Sequence, residues 1–93
     1  MTDTRLPLRA ETPWRNIDGN VLVVKPTEGI LYPLNSVASR IWCLADGRRT
    51  VEEIAEALAD EFDAPADAIR KDTRLFLEQL QAASLMTIRK KES

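Results

Sequence analysis

The chain contains no histidine, and Cys43 is its single cysteine in 93 residues. An internal disulfide framework is therefore impossible. Zinc takes about four Cys, His or carboxylate ligands, so a conventional zinc site has almost nothing to draw on. General acid–base chemistry through imidazole is excluded on the same ground, and a catalytic Cys43 would have no histidine base beside it. Glycines number three and aromatics make up 5% of the chain, which leaves no glycine-rich phosphate loop. No run approaches the roughly 18 apolar residues of a membrane span. The opening "MTDTRLPLRAE" has no apolar core of a signal peptide. The sequence reads as a soluble cytoplasmic protein with no membrane association and no cofactor.

What is present is ordinary globular usage, 44% hydrophobic and 30% charged, with a net charge of −2. A chain of this length makes one small, marginally stable domain. Charge is unevenly placed. Residues 1–49 carry seven Lys/Arg and five Asp/Glu, whereas residues 50–93 carry six and ten. Thr50 to Asp63 holds six acids and no base.

Residues 1–12 are polar, contain Pro7 and show no period, so they are expected to form a flexible N-terminal arm. In "PWRNIDGNVLVVKP", Asp18-Gly19 is a two-residue hairpin signal. It pairs expected strands at Trp14–Ile17 and Val21–Lys25, and "ILYPL" supplies a third. Pro33 lacks an N–H, so that strand must lie at an edge or end there. Asn35 is a good N-cap. Val37, Ala38, Ile41, Leu44 and Ala45 then share one helical face with Trp42 at its border, and Gly47 stops the helix. Thr50 and Glu53 form a capping box. Val51, Ile54, Ala55, Leu58 and Phe62 are the expected buried stripe of the second helix, with Glu52, Glu53, Glu56, Asp60 and Asp63 facing away. Pro65 opens a third helix running to about Ser84. Its core stripe is read as Ile69, Thr73, Phe76, Leu80 and Ala83, flanked by a partly exposed strip of Arg70, Arg74, Leu77 and Gln81. Leu85–Ile88 adds an extended end, and residues 89–93 form a charged tail. The expected fold class is α+β and winged-helix-like: three short N-terminal antiparallel strands followed by a three-helix bundle.

The ordered set "PWRNIDG…GILYPLNSVASRIWCLADGRRTVEEIAEALADEF…DTRLFLEQLQAASLM" resembles the PqqD family over residues 13–88. The resemblance implies a recognition element for RiPPs, the ribosomally made and post-translationally modified peptides. Such a domain binds a precursor (leader) peptide and presents it to a modifying enzyme. In this family these are PqqA and the radical SAM enzyme PqqE, which lead to pyrroloquinoline quinone. Recognition elements of other RiPP pathways look alike. The resemblance also implies that the peptide adds as a strand on the third strand, beside the third helix. Mapped here, the peptide-binding residues are Gly29, Ile30, Leu31, Tyr32 and Leu34 on the strand, and Ile69, Arg70, Thr73, Arg74 and Leu77 on the helix. The two arginines would meet acidic leader residues.

Taken without the resemblance, Arg70 and Arg74 are simply solvated helix charges, and Trp42 is a core aromatic. The helix-turn-helix look of "LADGRRTVEEI" raises a DNA-binding alternative. Phosphate neutralisation needs a basic surface, and the second helix is acidic on its outer face, so nucleic acid is not an expected partner. No nucleophile–base, metal or phosphate-loop constellation suggests an enzyme. Pairing of the open edge strand with a second copy is a further use of the same surface.

Overall fold

The computed structural model describes residues 3–90. The chain runs β1 (Leu6–Arg9), β2 (Trp14–Ile17), β3 (Asn20–Lys25), β4 (Ile30–Pro33), α1 (Ser36–Leu44), α2 (Val51–Phe62), α3 (Ala66–Ala82) and β5 (Met86–Arg89). Two antiparallel sheets result, β2–β3–β4 and β1–β5. The α+β arrangement of an N-terminal antiparallel sheet followed by three helices is as the sequence predicts.

Local signals place most of these elements. Asp18 and Gly19 both take positive φ, 52° and 90°, as a type I′ turn requires, and Asn16 Oδ1 accepts the Gly19 N–H. Asn35 caps α1 through the Ala38 N–H. The Thr50–Glu53 box forms in both directions, at 3.1 and 2.9 Å. Gly47, at φ 79°, turns the chain after α1, and its N–H donates to the Pro7 carbonyl. Asp46 accepts the N–H groups of Arg48 and Arg49 and the Arg49 guanidinium. The arginines of this turn therefore brace the α1–α2 corner.

The core is built where the inner sheet face meets the helices. Val21 and Val23 from β3 pack with Ile41, Trp42, Ile54, Leu58, Leu77 and Leu80, all at 5% exposure or less. Each such side chain contributes about 1.5–3 kcal/mol on burial. Thr73 is fully buried because its hydroxyl donates to the Ile69 carbonyl one turn back.

Several expectations are corrected. Residues 3–12, the described part of the expected N-terminal arm, are not loose. Leu6–Arg9 pairs in register with Met86–Arg89, Pro7 is fully buried, and the carbonyls of Asp3 and Arg5 accept the Glu52 and Val51 N–H groups at the start of α2. Arg89 of the expected tail belongs to this pairing, Lys90 follows it, and the rest of the tail lies outside the described residues. Arg9 donates to the carbonyls of Trp42, Cys43 and Ala45, closing the end of α1. It also lies 5.4 Å from the Trp14 ring centroid, and Trp14 meets Trp42 edge to face. Phe62, expected in the core, is exposed. Glu52, expected to face solvent, is buried against α3.

Candidate functional site

The hydrogen-bond phase of β4 decides what its free edge offers. Leu34 N–H donates to the Val21 carbonyl at 2.8 Å, and the register pairs Tyr32 with Val23 and Ile30 with Lys25. Alternation along an antiparallel ladder then turns the N–H and C=O of Leu31, and the C=O of Pro33, away from β3. Pro33 contributes no donor, and Gly29 N–H is engaged in the turn with Pro26. Leu31 is thus the residue of β4 that presents both a main-chain donor and an acceptor to the open side.

That edge runs beside a groove. Two adjoining depressions of about 360 and 340 Å³ share Asn35, Phe76 and Gln79. The first runs from Tyr32, Pro33 and Leu34 to Leu80 and Ala83; the second continues past Val37 to Asp72 and Leu75. The floor is apolar, with polar groups from Tyr32, Asn35 and Gln79. Asp72 stands at one end. Near the other, Lys25 Nζ donates to the Ala83 carbonyl at 2.7 Å and pairs with Glu28.

The strand residues singled out from sequence lie along this edge. Gly29, Ile30 and Leu31 are exposed, and Tyr32 and Leu34 are half-buried, packing on the core. The helix residues are placed differently. Ile69, Thr73 and Leu77 lie in the core at 5, 0 and 1% exposure. Arg70 makes a two-point ion pair with Glu52 at 2.7 and 3.0 Å and a further one with Asp67. Arg74 lies 3.6 Å from Asp3, whose carboxylate also holds Arg5 at 2.8 Å. At 100° per residue, Arg70 and Arg74 sit about 100–180° around α3 from the residues that face β4. The strip facing the edge is Asp72, Leu75, Phe76, Gln79 and Ala83, on the opposite flank of the core stripe. Phe76 is half-buried, packed against the core rather than within it. An arginine strip is therefore not what a peptide on β4 would meet.

The displaced arginines hold the fold. Arg70's hydrogen bonds keep the Glu52 carboxyl below its usual range, and Glu52 in turn raises Arg70. Arg5 likewise holds the Asp3 carboxyl down, against some desolvation. Together these ion pairs tie the N-terminal segment and the start of α2 to α3. Sequence reasoning missed Ser39, whose buried hydroxyl accepts the Val21 N–H and donates to the Leu34 carbonyl. It falls within α1 with no motif to mark it.

A winged-helix-like α+β domain with an open sheet edge beside a grooved helix is the class that this geometry defines. The chain belongs to the PqqD family: the family model described as coenzyme PQQ synthesis protein D (PqqD) matches residues 20–86. A protein of Rhizobium meliloti (strain 1021) named PqqA binding protein is 28% identical over 72 residues, 77% of this chain and 71% of that protein. One of the same name from Gluconobacter oxydans (strain 621H) is 36% identical over 55 residues, 59% of this chain and 57% of that protein. Among solved structures, TbiB1 in complex with the TbiA(beta) leader peptide superposes with a TM-score of 0.76 at 28% identity, covering 85% of this chain and 93% of that one. The PqqD truncation of Methylobacterium extorquens PqqCD, described as a stand-alone RiPP recognition element, shares the fold with a TM-score of 0.71 at 24% identity, covering 87% of each chain. Among the described residues, no helix is long and apolar enough to cross a membrane.

Proposed function

We propose that this protein is a leader-peptide chaperone. It takes up a ribosomally made precursor as an added strand on β4 and presents it to a peptide-modifying enzyme. Membership of the PqqD family and the name of the curated relatives support a PqqA-like precursor, a PqqE-like radical SAM enzyme and a place in pyrroloquinoline quinone biosynthesis. The observation that carries the reading is the outward-facing N–H and C=O of Leu31 on an open edge that borders an apolar groove. Strand addition draws affinity from such main-chain pairs and selectivity from neighbouring side-chain pockets. In this reading the peptide backbone runs along Gly29–Leu34, and its inward side chains enter the groove between Tyr32, Leu34, Phe76 and Gln79. Ile69, Thr73 and Leu77 shape the groove from within the core, and Arg70 and Arg74 take no part. The protein performs no chemical step, holds no cofactor, and works in the cytoplasm where the precursor is made.

A second reading, the same role in another RiPP pathway, is favoured by the likeness to TbiB1 in its leader complex. Titration calorimetry separates the two. A PqqA-like precursor and a precursor encoded beside this chain's gene are titrated in parallel, with duplex DNA as a third arm. The expected outcome is an affinity on the order of micromolar for a precursor, with no DNA binding, as the acidic α2 face requires. Salt-steep DNA binding with no peptide binding would sink the proposal.

A further inference from the structure

The sheet has a second face that its helices do not cover. Strand β3 reads Asn-Val-Leu-Val-Val-Lys, and a continuous apolar run of this kind belongs to a strand covered on both sides. Val21 and Val23 point inward and are buried, whereas Leu22 and Val24 point outward and are half-buried. The register builds the outer face in rows. Arg15, Leu22 and Pro33 form one, Val24 and Leu31 the next, and Ile17 with Asn20 the third. Ile17 is 54% exposed and Leu31 59%. None of these residues is an acid. The Arg15 side chain is exposed and makes no hydrogen bond or ion pair among the described residues.

Three considerations select the occupant. Three strands about 4.8 Å apart and at most six residues long give a face of roughly 300 Å². A standard stable interface buries about 800 Å² per partner, so this face suits a transient visitor better than a permanent second copy. A two-fold stack of the face on itself would also bring two guanidiniums into an acid-free contact, where desolvation is uncompensated. Finally, the face shares β4 with the edge proposed for the leader. A strand added there would widen it, with alternate leader side chains pointing the same way.

We propose that the outer face of the β2–β3–β4 sheet is where the peptide-modifying enzyme docks, through an apolar patch that carries a carboxylate opposite Arg15. This rests on the presentation role above. A docked enzyme would touch chaperone and leader at once, which makes the loaded form the better partner.

The test uses the full chain, its precursor peptide and the modifying enzyme encoded with them. Two variants, Leu22→Thr/Val24→Thr and Arg15→Glu, keep strand-forming or exposed positions and leave the leader edge intact. Leader affinity and enzyme affinity are measured separately by calorimetry, and oligomeric state by sedimentation. Both variants are expected to bind leader within about twofold of the parent and to bind enzyme about tenfold more weakly or worse. Enzyme affinity unchanged in both variants overturns the proposal. So does a matching loss of leader affinity, which would put the leader on this face, or a parent dimer that both variants dissolve. A parent chain that binds enzyme but no leader would instead overturn the presentation reading.

Discussion

The Ser39 hydroxyl accepts the Val21 N–H at 2.7 Å, inside the ladder between β3 and β4. It passes the bond on to the Leu34 carbonyl at 3.2 Å. Helix α1 is thereby fastened to the end of the strand whose other side is open. Ser39→Ala would leave a buried N–H without a partner, which costs about 1–3 kcal/mol. At about 4–8 °C per kcal/mol for a domain of this size, the melting temperature should fall measurably. Because the lost bond fixes β4, leader affinity should fall too, while Ser36→Ala, at an exposed position, serves as a neutral control. A Ser39→Ala melt superimposable on the parent would show that the bridge holds nothing.

Pro33 deprives the open edge of a donor. Its backbone position, paired with Leu22, turns outward, so Pro33→Ala supplies an N–H to the peptide without disturbing the β3 ladder. A net hydrogen bond contributes about 0.5–1.5 kcal/mol, and leader affinity is expected to rise about two- to tenfold. Calorimetry reads the gain, and sedimentation checks that the repaired edge does not pair with itself. An affinity that stays level or drops would place the leader elsewhere or out of this register.

The two flanks of α3 should respond differently to substitution. Phe76→Asp puts a charge into the apolar groove beside β4 and is expected to weaken leader binding about tenfold or more. Phe76 is half-buried and packs against the core, so a melting curve of the variant is recorded beside the titration to separate lost binding from lost fold. Arg74→Ala removes a partly exposed contact to Asp3 at 3.6 Å, which is a weak interaction, and leader affinity should stay within about twofold. The reverse pattern would restore the arginine strip as the peptide-facing side.

Features with local causes were legible in the sequence. The Asp18-Gly19 hairpin, the Asn35 cap, the Thr50–Glu53 box and the stripe through Ile54 and Leu58 each follow from residues a few positions apart. The pairing of Leu6–Arg9 with Met86–Arg89 joins segments about 80 residues apart, and in "LPLR" the alternation of Leu6 and Leu8 is masked by Pro7, which argues against a strand. Helical period identifies which residues of α3 share a stripe, but a stripe has two flanks. Which of them meets β4 is set by how α3 crosses the sheet, so the strip of Arg70 and Arg74 and the strip of Phe76 and Gln79 look equivalent until the helix is docked. From sequence alone Glu52 reads as one of the solvated acids, because its partner, Arg70, lies on another helix. The edge position of β4 was legible because a proline within a strand is a local feature.

The ion pairs that bind the N-terminal segment and α2 to α3 make stability sensitive to acid in a definite direction. The carboxyls of Glu52 and Asp3 are held below their ordinary values of 4.5 and 3.8, chiefly by hydrogen bonds from Arg70 and Arg5. Glu61 is lowered in the same way by Arg40. A carboxyl with a depressed folded-state pKa binds fewer protons folded than unfolded, so its stabilisation is complete above the unfolded value and is lost as pH falls through the folded one. The melting temperature should therefore be nearly level from neutral pH to about pH 5 and decline steadily below about pH 4.5. Glu52→Gln should melt below the parent at pH 7 and lose less on acidification, so that the two curves converge. Parallel curves across the whole range would mean that the Glu52–Arg70 pair contributes nothing to the fold.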